Sequence, residues 1–223
     1  MDERNGNMTP SKGDFLKAIV KLGGGERRVN NKDLANELKI SSAAITDMAL
    51  KLMEDGYIHY IPYKGIEITE IGLKETNKLI RKHRLWEVFL HEKLGYNWNQ
   101  VHEDADLLEH ASSDFLIERL DEFLGFPTMD PHGGVIPNSE GHVTHSTALP
   151  LNEIEAGTAF TITEVSDNPA FLNYLLRKKI TLHDHYYLVE IEDYEGDFLL
   201  EDDTGHQKRI SANTASQIKV TLN

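Results

Sequence analysis

The apolar residues of this chain keep helical spacing to about residue 124 and strand-like alternation from about residue 159, so one chain must hold two kinds of core. Phe15, Leu16, Ile19, Val20 and Leu22 predict a first helix, with Thr9 or Ser11 as cap and Gly23-Gly24-Gly25 as its stop. A short helix is predicted from about Asn31, with Leu34 and Leu38 one turn apart. Ser41 and Ser42 offer a new N-cap, and Ile45, Ala49, Leu52 and Met53 line one face of a longer helix closed by Gly56. IHYIPYKGIEIT then reads as two short strands around Lys64-Gly65. A long helical stretch runs from Thr69 to Leu94 with Gly95 as its stop, and Asn97 with Gln100 forms a capping box for the next helix. Ser112 or Ser113 caps a further helix, SDFLIERLDEFLG.

Residues 127–150, rich in Pro, Gly, Ser and Thr, read as a linker. Beyond them FTITEV, YYLVEIED, DFLLED and SQIKVTL alternate, and with the helical AFLNYLLRKK they predict a small β-barrel of about 70 residues. A length of 223 residues fits two or three modest domains. The sequence contains no cysteine, which excludes a disulfide scaffold, a thiol nucleophile, a cysteine zinc site and an iron–sulfur cluster. No apolar run approaches the ~18–20 residues of a membrane span, and MDERNGNMTP lacks the apolar core of a secretory signal. The predicted compartment is the cytoplasm, with no membrane partner.

Short helix, tight turn, longer helix and hairpin is the pattern of a winged helix-turn-helix. The longer helix begins with small, polar residues (Ser41, Ser42, Ala43, Ala44, Thr46, Asp47) suited to a major groove, and Arg27, Arg28, Lys32, Lys39, Lys51 and Lys64 flank it as phosphate contacts. A plain three-helix packing unit would show the same pattern. The charge distribution agrees with a DNA reader at one end. Residues 1–84 hold 15 Lys+Arg against 12 Asp+Glu, whereas residues 85–223 hold 8 against 25. The many apolar residues of the middle helices (Leu85, Trp86, Phe89, Leu90, Leu107, Leu108, Phe115, Leu116, Leu120, Phe123) predict a homodimer surface.

Several of the 11 histidines fall among carboxylates at helical spacing. His102, Asp106, Glu109 and His110 share one helix face, His83 and Glu87 are one turn apart, Asp130 and His132 flank a proline, and Asp14 lies on the first helix. Such an oxygen and nitrogen donor set suits Mn2+, Fe2+, Co2+ or Zn2+. His83 with Glu87 alone is ordinarily a surface ion pair. The His102–His110 stripe is harder to dismiss, because burying it unpaired is costly. His59, His91, His142, His145, His183, His185 and His206 are taken as non-ligands. His102-Glu103 begins like a zinc-protease motif, but Asp106 replaces its second histidine. There is neither a phosphate-binding glycine loop with a GKS/T tail nor a G-x-S-x-G elbow, so no enzyme is predicted.

Taken in order, Asp14-Phe15-Leu16-Lys17, the winged helix, Arg81-Lys82-His83-Arg84-Leu85 with Glu87, His102-Glu103, Leu108-Glu109-His110 and Pro131-His132-Gly133-Gly134-Val135-Ile136-Pro137 resemble the diphtheria toxin repressor family over nearly the whole chain. The likeness is to its three-domain, manganese-responsive members. It implies a cytoplasmic homodimeric repressor of metal-uptake genes, activated by Mn2+ or alternatively Fe2+, with Zn2+, Co2+ or Cd2+ as substitutes. The implied fold is mainly α with a small β part: a winged helix-turn-helix over 8–78, a helical dimerisation and metal domain over 79–147, and an SH3-like, FeoA-type barrel over 148–223. One metal site is implied at Asp14, Asp106, Glu109 and His110. A second is implied at His83, Glu87, His102, Asp130 and His132, closed by Asp167 from the barrel. Without metal, the clustered carboxylates are expected to repel and leave the reader loosely placed.

Three positions depart from the family pattern. Asp130 stands where relatives often have cysteine, which makes the site harder and favours Mn2+. Asp106 replaces a frequent glutamate, and Lys17 replaces a second carboxylate found one turn after Asp14 in two-domain manganese repressors. The alternative function is a metal-buffering or structural metal-binding protein without operator recognition.

Overall fold

A computed structural model describes residues 8–62, 64–144 and 147–223. The reading of the first seven residues and that of His145 lie outside it. The chain divides into two compact units, one of residues 1–82, 109–112 and 137–143, the other of residues 83–108, 113–136 and 144–223.

In the first unit, α1 (Pro10–Lys21) opens with proline in its first turn, where no amide is needed, and the Thr9 hydroxyl caps it. The Asn30 side chain accepts from Asp33 N–H to start α2 (Asn31–Leu38), and Ser41 Oγ accepts from Ala44 N–H to start α3 (Ser42–Glu54). Lys39 takes the left-handed conformation in the turn between them. The strands β1 (Ile58–Ile61) and β2 (Gly65–Ile68) pair antiparallel, with Ile58 opposite Ile68, and Val29 bridges to Ile66 beside them. Phe15, Leu16, Ile19, Leu34, Ile45, Leu52 and Ile66 form one closed core under these elements. The order and caps are those of the expected winged helix-turn-helix.

Helix α4 (Glu70–Leu94) runs on as one 25-residue helix, so its first half belongs to the first unit and its second half to the other. It is followed by α5 (Val101–Ala111), where the Gln100 side chain caps the Asn97 amide, and by α6 (Asp114–Leu124), capped by Ser113 and ended by Gly125. In the second unit Leu85, Val88, Ile117, Leu120 and Ile136 pack together. Leu107, Phe115, Leu116 and Phe123 stay exposed.

The segment expected to be a linker is instead packed. Asp130, His132 and Ile136 are buried in the second unit, where Met129 bridges to Val135. In the first unit Arg81 donates to the Pro137 carbonyl and Asn77 to the Gly141 carbonyl. Side chains of α4 thus hold a stretch whose Pro and Gly content alone suggests freedom.

The C-terminal part is built of β3 (Leu149–Pro150), β4 (Ala159–Val165), β5 (His185–Ile191), β6 (Phe198–Asp202), β7 (Gln207–Ile210) and β8 (Ile218–Leu222). They form one antiparallel sheet in the order β3-β8-β4-β5-β6-β7. The expected closed barrel is therefore corrected to an open six-stranded sheet. Its edges are β3 and β7, and β3 has two residues, one of them a proline with no N–H to extend a ladder. Helix α7 (Pro169–Lys178) covers the sheet, and Leu172 and Leu175 join Phe160, Ile162, Leu188, Leu200 and Val220 in its core. A single turn, α8 (Ala212–Ala215), precedes β8.

Candidate metal centres and nucleic-acid interface

Two places gather the expected ligands. In the first unit, α1 carries Asp14 and the last turn of α5 carries Glu109 and His110. His110 Nε2 donates to Asp14 Oδ1 at 2.9 Å and lies 3.3 Å from Glu109 Oε1. The three residues offer ligand atoms within 4.8 Å of one another. Glu109 is fully buried while half of the Asp14 side chain is exposed, so the cluster opens to solvent on the α1 side. Lys17 Nζ lies 2.8 Å from both Glu109 oxygens. The expected repulsion among bare carboxylates is thus relieved at Glu109 by an ammonium.

In the second unit, Glu87 on α4 faces Asp130 and His132, again with ligand atoms within 4.8 Å. His132 Nε2 donates to the Trp98 carbonyl at 2.7 Å, which fixes the proton there. Its Nδ1 is buried without a hydrogen-bond partner, 3.7 Å from Glu87 Oε2 and 4.0 Å from Asp130 Oδ1. A buried nitrogen lone pair between two carboxylates is costly unless a proton or a cation fills the gap. These residues therefore fit a hard divalent ion. Burial would lower the His132 pKa, but Glu87 and Asp130 outweigh it and raise it to about 9. Burial would raise the Glu87 pKa, yet His102, His132 and His83 hold it well below the usual carboxylate range. Burial pushes Asp130 up.

The loop geometry explains the Pro-His-Gly-Gly sequence. Asp130 Oδ1 accepts from His132 N–H at 2.7 Å and Gly134 N–H at 3.0 Å, and Oδ2 pairs with Arg84 Nε at 3.0 Å. Arg84 also donates to the Val135 carbonyl. Gly133 has a φ of 84°, and a Cβ there would strike the Thr163 carbonyl. A Cβ on Gly134 would lie 2.5 Å from Asp130 Oδ2.

A third grouping joins the second. His83 Nε2 lies 3.1 Å from Glu87 Oε1 and 3.1 Å from His102 Nδ1. Asp106 Oδ1 lies 3.3 Å from His83 Nδ1, and Asp167 Oδ2 lies 4.0 Å from His102 Nδ1. The structure thus places Asp106 with His83 and His102 in the second unit. The expected partition had it with Asp14, Glu109 and His110. Asp167, the expected closing residue, comes no nearer to His102 than 4.0 Å and is in none of the three groupings whose ligand atoms lie within 4.8 Å of one another. Lys17, Arg84 and Trp98 were not foreseen in these roles.

On the winged helix, Ser41, Ser42, Ala43, Ala44 and Asp47 are exposed along the start of α3, and Thr46 is half-buried with its hydroxyl donating to the Ser42 carbonyl at 3.1 Å. Lys32, Lys51 and Lys64 are exposed. Arg27 folds back on the Leu22 carbonyl, and Arg28 pairs with Glu67 of β2 at 3.0 Å.

Residues 7–66 match the iron dependent repressor N-terminal DNA binding domain, and residues 69–138 match the metal binding and dimerisation domain of the same proteins. An uncharacterized HTH-type transcriptional regulator of Methanocaldococcus jannaschii is 40% identical over 52% of this chain and 94% of its own length. The chain belongs to the iron-dependent repressor family. It is a metal-dependent transcriptional repressor of the MntR and diphtheria toxin repressor type. The HTH-type transcriptional regulator MntR of Lysinibacillus sphaericus is 31% identical over 50% of this repressor and 80% of its own length. The solved manganese regulator SloR is 33% identical with a TM-score of 0.85, covering 97% of this chain and 100% of that one. A manganese-dependent transcriptional repressor in complex with manganese is 31% identical with the same TM-score of 0.85, covering 95% and 100%.

Proposed function

We propose that this repressor is activated by Mn2+, with Fe2+ as the alternative ion, and binds as a homodimer to the operator DNA of metal-uptake genes in the cytoplasm. The observation that carries the reading is the meeting of Asp14 with Glu109 and His110. Asp14 lies on the exposed face of α1, whose other face, Phe15, Leu16 and Ile19, is locked into the reader core. Holding Asp14 against the last turn of α5 therefore holds the whole winged helix. A bound divalent cation would supply the positive charge that draws the two carboxylates and the imidazole together. Two readers so held can match successive major grooves, a coupling worth ~1–3 kcal/mol.

The all-oxygen and nitrogen donor set at Glu87, Asp130 and His132 supports a hard ion over a soft one. His83, His102, Asp106 and Asp167 extend this second site, and Zn2+, Co2+ or Cd2+ are expected substitutes in vitro. The proposed domains are 8–78, 79–147 and 148–223. Leu107, Phe115, Leu116 and Phe123, exposed on α5 and α6, support self-association. Ser41, Ser42, Ala43, Ala44, Thr46 and Asp47 are the proposed base readers; Arg27, Arg28, Lys32, Lys51 and Lys64 are the proposed phosphate contacts. No helix among the described residues is long and apolar enough to cross a membrane. The reading includes no catalytic step. Calorimetric Mn2+ titration of the wild type and of His110→Ala, beside a gel shift on promoter DNA, tests it. Loss of one binding event together with the metal-dependent shift is the expected result. Metal binding without any DNA shift would instead mark a metal buffer.

A further inference from the structure

Lys17 stands three residues after Asp14 on α1, and its ammonium contacts both oxygens of Glu109 at 2.8 Å. The Glu109 side chain has no exposed surface, whereas that of Lys17 is 22% exposed. A carboxylate buried to that degree is costly unless it is paired or hydrogen-bonded, and here an ammonium pairs it. An ammonium has donors and no lone pair, so Lys17 cannot itself ligate a metal; it can only occupy an oxygen that a metal would use. Glu109 Oε1 also lies 3.3 Å from His110 Nε2, next to Asp14 Oδ1 at 2.9 Å, so a metal on His110 would share its oxygen.

We infer that Lys17 is an internal cation that competes with the metal for Glu109 and thereby sets the free-metal concentration at which the Asp14–Glu109–His110 cluster fills. The inference rests on the reading of those three residues as ligands. The long lysine stem and partly exposed head let the ammonium move toward solvent when the carboxylate is claimed. With Lys17 in place, the metal-free protein keeps Glu109 satisfied, and the cluster demands a higher metal concentration than its donors alone would.

The test is calorimetric titration of the full chain with Mn2+ in the wild type and in Lys17→Met, Lys17→Gln, Lys17→Arg and His110→Ala. His110→Ala identifies the binding event that belongs to this cluster. Lys17→Met and Lys17→Gln remove the charge and should tighten that event about tenfold, while Lys17→Arg keeps the charge and should stay close to the wild type. Thermal melting supplies a second readout. The metal-free melting temperature should fall in Lys17→Met, and the rise on adding Mn2+ should exceed that of the wild type. If Lys17→Met does not fold without metal, Lys17→Gln decides by the same titration. Unchanged or weaker binding in the charge-free variants overturns the inference. If His110→Ala removes no binding event, the ligand reading fails and the role of Lys17 falls with it.

Discussion

His110 Nε2 lies 2.9 Å from Asp14 Oδ1, joining residues 96 positions apart in the sequence. One belongs to the first helix of the DNA reader and the other to the last turn of α5. On the proposed reading, their contact ties the reader helix to the Asp14–Glu109–His110 cluster. His110→Ala should therefore abolish metal-dependent DNA binding even at Mn2+ concentrations that saturate the wild type, as read by anisotropy.

The second site should fail differently. Asp167 approaches His102 at 4.0 Å and has no part in the Asp14 cluster. Asp167→Ala should weaken Mn2+ binding in calorimetry yet leave partial repression. If it is as inactive as His110→Ala, the division into a switching site and a supporting site is wrong.

The sign of the pH dependence follows from His132. Its pKa is raised from 6.5 to about 9, with Glu87 of α4 and Asp130 of the loop facing it and Arg84 pairing with Asp130. In the metal-free protein it contributes stability that is full below about 6.5 and lost as pH rises through about 9. A metal bound at Nδ1 takes the place of that proton. Mn2+ binding should therefore release a proton at pH 7 and tighten as pH rises, by at most about tenfold per unit. Titration in two buffers of different ionisation enthalpy measures it. No release would remove His132 from the ligand set.

Much of the reader was legible because its signals are local. Asn30, Ser41 and Ser113 cap within three residues of themselves, and Gly95 and Gly125 stop their helices by positive φ. The open sheet was not legible, since strand neighbours such as β3 and β8 are set by pairing across some 70 residues. The loop holding Asp130 was misread because its order comes from Arg84, on a distant helix. The stripe on α5 was legible as a face, while the structure groups its residues in two places. His102 and His110 are eight residues apart, about 12 Å along the axis, so one ion cannot take both. Only tertiary packing reveals that Asp106 turns toward His83.

The reader core should be sensitive to cavities. Leu52 on α3 is fully buried among Phe15, Ile45 and Ile58. Leu52→Ala should cost about 2–5 kcal/mol and weaken DNA binding through loss of fold, visible in thermal denaturation.

Base reading and phosphate contact should separate. Thr46→Ala should change the ranking of operator variants. Lys64→Ala should weaken binding to all of them and flatten the salt dependence by about one unit of slope at most. An unchanged ranking in Thr46→Ala would assign the reading to other residues of α3.

Metal at the Asp14 cluster should convert the chain into a specific DNA binder. The most direct measurement is fluorescence anisotropy of operator DNA, first with EDTA and then with added Mn2+. Specific affinity should be lost with the chelator and rise about tenfold or more with the metal. Equal affinity in the two conditions would rule out activation by metal.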